Sequence, residues 1–177
     1  IPINAKNGYG AKSNDKETWV DFYEALEKVE FYNCRGLGFM LGNGYFGVDI
    51  DHAIDNKDLI NEYVEALESY TEISQSGEGI HIICKGVLPV GARRKGNIEM
   101  YDNARFFAMT GNLYDEKYYQ IADRTSEIKG LWNKYLNEQK IETEYVYTKE
   151  RRYNPIIGVN KLSDEEIIQK IKESQNG

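Results

Sequence analysis

The sequence is poor in cysteine, proline and long apolar runs, and each scarcity excludes a class of protein. It contains 2 cysteines and 3 prolines among 177 residues. One cysteine pair does not make a disulfide scaffold in a chain of this length, so we expect Cys34 and Cys84 to be reduced. Few prolines argue against a disordered or linker-like chain. No apolar run approaches the roughly 20 residues of a membrane helix. With no signal-peptide pattern in residues 1–20, we expect a cytoplasmic protein without membrane contact.

An excess of positive charge is also lacking. The chain has 22 Lys and Arg against 29 Asp and Glu, a formal net charge of −7. This balance excludes a generally basic nucleic-acid coat, so contact with a phosphate backbone would need a local basic patch. Hydrophobic residues make up 41% of the sequence, which suffices for the core of one domain.

Hydrophobic periodicity predicts helices and strands in mixed order. Two apolar runs within residues 37–50 are split by Gly42-Asn43-Gly44, a pattern typical of a β-hairpin. Ser163 and Glu166 form a capping box, which predicts a final helix. This mixture favours an α+β fold with a largely antiparallel sheet. The other predicted elements are helices at about 16–29 (with Asp15 as N-cap), 57–70 and 126–140, and strands at 71–74, 80–84, 98–101 and 106–110.

The sharpest chemical feature is a pair of carboxylates, Asp49 and Asp51, in an apolar strand. Side chains at positions i and i+2 of a strand point to the same face. Two like charges held this close are unfavourable unless cations neutralise them, and such hard oxygen ligands suit Mg²⁺ or Mn²⁺. The alternative is a strand end with two exposed aspartates.

A glycine-rich segment then leads into an apolar strand that carries a histidine. Ser76, Gly77 and Gly79 precede His81, and exposed backbone N–H groups in such a turn can cradle phosphate oxygens. The alternative is an ordinary turn followed by a core histidine that bonds to a backbone carbonyl.

A third acidic strand and a basic loop follow. Glu99 lies inside an apolar strand, where a carboxylate is costly without a partner. It could form a salt bridge to Arg105, and Asp102 could simply be a turn residue. Arg93-Arg94-Lys95, on the loop before this strand, could meet a triphosphate or a nucleic-acid backbone, or be a solvated loop. Three carboxylates on adjacent strands are compatible with a two-metal site.

Taken together, the runs VDIDH, SGEGIHII and IEMYDNARFFAMTG resemble the prim-pol catalytic domain of the archaeo-eukaryotic primase superfamily. The closest likeness is to the primase–helicase branch of phages and mobile elements, and it is strongest over residues 36–111. The resemblance implies an RRM-like antiparallel sheet that carries the acids, an N-terminal αβ portion packed beside it, and C-terminal helices. The active-site cleft would lie between the sheet and that portion. Residues 1–145 would form the catalytic domain, and residues 146–177 a linker and the start of a helical segment.

The same resemblance assigns roles to individual residues. Asp49, Asp51 and Glu99 would bind two catalytic metal ions, with Asp102 as a rival to Glu99 because many members of the family carry Asp at the third position. His81 would contact the phosphates of the incoming nucleotide and take part in catalysis. Further nucleotide contacts are implied for Ser76, Gly77 and Gly79 and, as candidates, for Arg93, Arg94, Lys95 and Arg105.

The implied function is that of a DNA-dependent primase or polymerase. It would transfer nucleotides from NTPs or dNTPs on a single-stranded DNA template with a primer, using Mg²⁺ or Mn²⁺ and no zinc. It would act in replication of a phage or mobile element in the bacterial cytoplasm, with a helicase domain in the full-length protein.

Two alternatives remain open at this point. One is a metal-dependent nuclease that uses the same carboxylates. The other is a non-catalytic RRM-like nucleic-acid-binding module, in which Tyr101 and Phe107 would stack on bases.

Overall fold

A computed structural model describes residues 2–137 of the chain. The predicted helix from Ser163, the segment 146–177 and the domain boundary at residue 145 lie outside the described residues. None of the described helices is long and apolar enough to cross a membrane. In chain order the elements are a 3₁₀ helix (Lys16–Thr18), α1 (Phe22–Phe31), β1 (Gly38–Met40), β2 (Tyr45–Ile50), α2 (Lys57–Leu67), β3 (Tyr70–Ile73), β4 (Ile80–Lys85), β5 (Arg94–Lys95), β6 (Ile98–Tyr101), β7 (Phe106–Ala108) and α3 (Glu127–Tyr135).

The strands form two sheets. The larger has five strands in the order β3-β4-β2-β6-β5, and every neighbouring pair is antiparallel. The smaller sheet pairs β1 with β7, also antiparallel. Mixed helices and antiparallel sheets confirm the predicted α+β class, and β2 is a central strand.

The main core lies between the large sheet and helices α2 and α3. Along β2, Val48 and Ile50 are fully buried and pack with apolar residues of both helices, among them Leu67 and Leu131. Because successive strand residues point to opposite faces, Asp49 points away from this core. The face of the sheet that carries Asp49 is therefore not covered by helices α2 and α3.

The predicted hairpin over residues 37–50 is wrong in its pairing. Gly42 and Tyr45 exchange backbone hydrogen bonds of 3.0 Å, so the Asn43-Gly44 turn forms as expected. Beyond that turn β1 leaves β2 and pairs instead with β7, with Phe39 opposite Phe107. The residues of β1 satisfy their backbone groups with a strand about 70 positions further along, which a local pattern does not reveal.

The first helix begins later than predicted. Asp15 caps only the short 3₁₀ turn, where its side chain accepts a hydrogen bond from the N–H of Glu17. Trp19 is extended, with ψ of 156°. Asp21 is the true N-cap of α1, because its carboxylate accepts the N–H of Glu24 at 2.9 Å. Helices α2 and α3 fall within their predicted spans and end sooner than expected.

Candidate active site

A row of polar side chains crosses all five strands of the large sheet. The register places Asp49 of β2 opposite His81 of β4 on one side and opposite Glu99 of β6 on the other. His81 is in turn opposite Glu72 of β3, and Glu99 is opposite Arg94 of β5. Directly opposed residues share a face, so these five side chains, here called the polar row, lie on the face away from α2 and α3.

Asp49, at the centre of the row, is a carboxylate with one oxygen that no hydrogen bond stabilises. Its Oδ1 is buried and has no hydrogen-bond partner, and Nε2 of His81 lies 3.9 Å from it. Burial raises the pKa of Asp49 from 3.8 to about 6, against the lowering effect of His81. The charges of Asp51 and Glu99 raise this pKa as well. A cation bound at this point would relieve the cost of ionising Asp49.

His81 is held between two acids and a phenyl ring. Its Nδ1 lies 3.3 Å from Oε1 of Glu72, on the side opposite to Asp49. The imidazole stacks on Phe107, with ring centroids 4.3 Å apart and planes at 11°. His81 is therefore bound to a side chain, not to a backbone carbonyl as the alternative interpretation required.

Glu99 lies beside two arginines at the rim of the sheet. Its Oε1 is 3.0 Å from Nε of Arg94, and its Oε2 is 3.8 Å from an Nη of Arg105. Arg105 also lies over the ring of Tyr101, 4.5 Å from the centroid, and donates to its hydroxyl. The ion pair considered from the sequence thus exists, and it coexists with the position of Glu99 next to Asp49.

Asp102, the rival third acid, lies elsewhere. It follows the end of β6 and pairs with Arg93 at 3.4 Å. Its other oxygen accepts a hydrogen bond from the Asn103 side chain. The carboxylates that affect the pKa of Asp49 are those of Asp51 and Glu99, so the geometry groups Glu99, not Asp102, with the aspartate pair.

The glycine-rich segment is fastened to the end of β2. A Cβ on Gly79 would collide with the carbonyl oxygen of Ile50 and approach Cα of Asp51 at 3.1 Å, so only glycine allows this approach. The carbonyl of Glu78 accepts the N–H groups of Ala53 and Ile54 at 2.8 and 2.9 Å. These contacts bring the loop of residues 76–79 next to Asp51.

Two N–H groups of this loop already donate to neighbouring serines of the chain. The N–H of Gly77, whose φ is +77°, donates to Ser74, and that of Glu78 donates to Oγ of Ser76. A phosphate bound here would rely on the remaining loop groups and on His81, which follows directly in β4.

The basic cluster is not the free loop that the sequence predicted. Arg94 and Lys95 form the short edge strand β5, which pairs with β6. Arg94 faces the polar row and is 63% exposed, whereas Arg93 points to Asp102. Lys95 is exposed at the edge of the sheet.

The fit to a divalent cation rests on the donor chemistry. Within residues 2–137, no three His, Cys, Asp or Glu side chains converge closely enough to hold a metal ion. The hard oxygen donors of Asp49, Asp51 and Glu99 nevertheless suit Mg²⁺ or Mn²⁺. The Oδ1 of Asp49 is a buried acceptor without a hydrogen-bond partner, which a bound cation would satisfy.

A cavity of about 690 Å³ lies beside the two-stranded sheet, between β1, β7, α1 and the N-terminal segment. Phe106 and Ala108 of β7 line it, while Phe107 between them packs on His81. None of the five residues of the polar row lines this cavity. The acidic site was expected in a cleft beside the N-terminal portion, and this cavity does not contain it.

Glu72 is the member of the row that sequence reasoning missed. It is fully buried, and it occupies an apolar strand just as Glu99 does. The same signal, an acid within an apolar strand, could have identified it.

Tyr101 and Phe107, the two rings considered for base stacking, are not free to stack on bases. Phe107 is 5% exposed and stacked on His81, and Tyr101 is covered by the guanidinium of Arg105. A base-stacking RRM-like surface needs exposed rings, so this geometry disfavours the non-catalytic binding module.

Comparison with known proteins relates the chain to a phage protein. No protein-family model matches the chain. The chain is 31% identical, over 188 residues, to a DNA primase-polymerase of Nitratiruptor phage NrS-1. This similarity extends over 97% of the chain, which spans about a quarter (24%) of the phage protein's length.

Proposed function

We propose that this chain, which is a prim-pol domain by its relationship to the phage protein, performs template-directed nucleotidyl transfer as a DNA primase or polymerase. The observation that carries the proposal is the polar row, in which Asp49 has an acid on one side and a histidine on the other. An acid site beside a glycine-rich turn and a basic rim suits a nucleoside triphosphate.

Asp49, Asp51 and Glu99 are the residues that would hold Mg²⁺ or Mn²⁺. The raised pKa of Asp49 and its unpartnered oxygen support this assignment. When bound, such ions lower the pKa of an attacking 3′-hydroxyl and stabilise charge on the pyrophosphate leaving group.

The other residues would bind and orient the substrates. His81 and the loop of residues 76–79 would contact the triphosphate. Arg94 and Arg105, more than half exposed at the rim, would attract phosphates of the nucleotide, primer or template, and Lys95 lies beside them. Such a local patch is what a chain of net charge −7 needs to bind nucleic acid.

The order of elements supports an RRM-like relationship in part. Strand β2, helix α2 and strands β3 and β4 follow the β-α-β-β order of that fold, and β6 flanks β2 on the other side. In the RRM order a second crossover helix would precede the strand that corresponds to β6. Here helix α3 instead follows β7 along the chain, so the likeness to the RRM order is partial.

The test is extension of a labelled primer on single-stranded DNA, with dNTPs or NTPs and with Mg²⁺ or Mn²⁺. We expect extension by the wild-type chain. Asp49→Ala should lower the rate roughly 10³-fold or more, the loss of several kcal/mol of transition-state stabilisation. Circular dichroism of the variant should show an intact fold.

The matched control is Glu62→Gln. Glu62 lies on α2, on the side of the sheet opposite to the polar row, and forms an ion pair with Lys134 of α3. It should extend primers at the wild-type rate. Substantial residual extension by Asp49→Ala would contradict the assignment. Metal-dependent shortening of the DNA, without nucleotides, would favour a nuclease.

A further inference from the structure

The cavity of about 690 Å³ beside the two-stranded sheet has a binding chemistry of its own. Its volume falls within the range of roughly 300–1,000 Å³ that is typical of small-molecule sites, whose walls are mostly apolar with a few polar groups. The walls come from β1, β7, α1 and the N-terminal segment, and none of the polar row is among them. The charges and rings of these walls indicate which ligand the cavity fits.

The charge of the cavity wall is opposite in sign to that of the whole chain. Of the described residues that line the cavity, two are charged, and both are cationic: Lys28 and Arg35. The chain as a whole has a net charge of −7. A wall with two cations and no carboxylate among its described residues favours an anionic ligand.

Arg35 is also the described arginine that has no acidic partner. The other four have a carboxylate oxygen at 3.0 to 3.8 Å: Arg93, Arg94, Arg105 and Arg124. Arg35 is exposed, in the loop between α1 and β1, and forms no ion pair within residues 2–137. A guanidinium that no carboxylate engages is available to bind a phosphate with two parallel hydrogen bonds.

Three aromatic side chains line the same cavity, and the surrounding chain holds them in place. They are Trp19, Tyr32 and Phe106. Nε1 of Trp19 donates a hydrogen bond of 3.0 Å to the carbonyl of Lys12. The ring of Tyr32 packs on Gly8 so closely that a Cβ there would be 2.6 Å from it. Phe106 is placed by the pairing of β7 with β1. Rings that are already held lose little conformational entropy when a ligand packs on them.

We propose that this cavity is a second, metal-independent site that binds a free nucleoside monophosphate. The base packs against the three aromatic side chains, and the phosphate binds Lys28 and Arg35. Such a ligand combines a flat ring with a phosphate of charge about −2, which two cations balance. The inference goes beyond the proposed function and does not depend on it.

The acids of α1 favour a free nucleotide over a nucleic-acid strand. A strand carries a phosphate for every base, so a strand that ran over α1 would meet Glu24, Glu27 and Glu30. None of these three glutamates lines the cavity. A single small molecule inside the cavity therefore contacts the cations of the wall and avoids the carboxylates of the helix.

The test is titration of the protein with dAMP in EDTA, followed by tryptophan fluorescence and by calorimetry. The chain has 2 tryptophans. Trp19 lines the cavity, whereas Trp132 is buried in the main core. A base that stacks on Trp19 should quench its fluorescence, and calorimetry should give one dAMP per chain. At about pH 8 the phosphate is almost fully a dianion, and EDTA removes the divalent ions that the proposed catalytic site needs.

Variants connect the signal to the cavity. Arg35→Gln should raise the Kd for dAMP about tenfold, because a charge-assisted hydrogen bond to the phosphate is lost. The matched control is Lys129→Gln, which also removes one exposed cation but lies on α3 and outside the cavity wall. Lys129→Gln and Asp49→Ala should both keep the wild-type Kd. Trp19→Phe should lose the quenching while calorimetry still detects binding, since the phenyl ring can also pack on the base.

Fragments of the ligand test its two halves separately. Deoxyadenosine lacks the phosphate and deoxyribose 5-phosphate lacks the base, so each should bind at least about tenfold more weakly than dAMP. Saturable quenching by dAMP, together with this order of affinities and the loss in Arg35→Gln, would support the proposal. Arg35 is exposed, so its variant should fold.

Four results would overturn the proposal. They are no saturable quenching below about 1 mM dAMP, quenching that persists in Trp19→Phe, an unchanged Kd in Arg35→Gln, and loss of dAMP binding in Asp49→Ala. Tighter binding of single-stranded oligo(dA) than of dAMP at the cavity would also overturn it, because the occupant would then be a nucleic-acid strand. A chain that binds dAMP but makes no DNA would refute the proposed function and leave this inference standing.

Discussion

Replacement of Asp49 by asparagine should stabilise the cation-free protein and at the same time abolish its activity. Asparagine has nearly the same shape as aspartate but carries no charge. In the folded chain the pKa of Asp49 is raised from 3.8 to about 6, first by burial and then by the charges of Asp51 and Glu99. Its ionised form is therefore unfavourable in the folded state, and the substitution removes that cost.

The magnitude follows from the difference between the two pKa values. Each pKa unit corresponds to 1.36 kcal/mol, so ionised Asp49 costs the folded state about 3 kcal/mol at most. A carboxyl whose pKa rises on folding carries this cost in full above its folded pKa. The cost therefore applies above about pH 6, shrinks as the pH falls towards 3.8, and is absent below that value.

The assay is urea unfolding of the wild type and of Asp49→Asn at pH 8 and pH 4, in EDTA and in Mg²⁺. In EDTA the variant should be more stable at pH 8, with a gain of about 1–3 kcal/mol, and nearly equal at pH 4. Mg²⁺ should stabilise the wild type more than the variant. The reasoning would be refuted if the variant were less stable at pH 8 in EDTA, or if Mg²⁺ stabilised both proteins equally.

Two further predictions concern the third acid and the glycine-rich loop. Glu99→Gln should lower primer extension at least about 10²-fold. Asp102→Asn should stay within about threefold of wild type, because Asp102 pairs with Arg93; equal losses in the two variants would contradict the choice of Glu99. Gly79→Ala should lower the free energy of unfolding by about 1–3 kcal/mol, since its Cβ would overlap the Ile50 carbonyl. An unchanged urea midpoint would contradict this contact.

Some of the candidate site could be read from the sequence, because the relevant signals are local. The i, i+2 spacing predicted that Asp49 and Asp51 share one face of a strand, although β2 ends at Ile50 and Asp51 follows it in a turn. An acid within an apolar strand marked Glu99. The same rule would have marked Glu72, which the structure buries completely. The sequence could not predict the partner of His81, because Glu72 lies next to it only through the register between β3 and β4.

The sequence by itself determined the composition and the periodicity of apolar residues within individual strands and helices. Alternation along β2 follows from strand geometry, so buried Val48 and Ile50 on one face imply Asp49 on the other. Helix α2 follows from its apolar spacing, and the net charge follows from counting. Strand alternation and helix spacing depend on residues close together in the chain, and net charge depends only on composition. None of them depends on which segments of the chain pair with each other.

Only the tertiary structure decided which segments meet. Strand β1 pairs with β7 and not with its neighbour β2, and five strands align Glu72, His81, Asp49, Glu99 and Arg94 in one row. A shift of one residue in any pairing would send a side chain of this row into the opposite face. Register is set by how the strands pack with the core across the domain, so the site exists only once distant strands have docked.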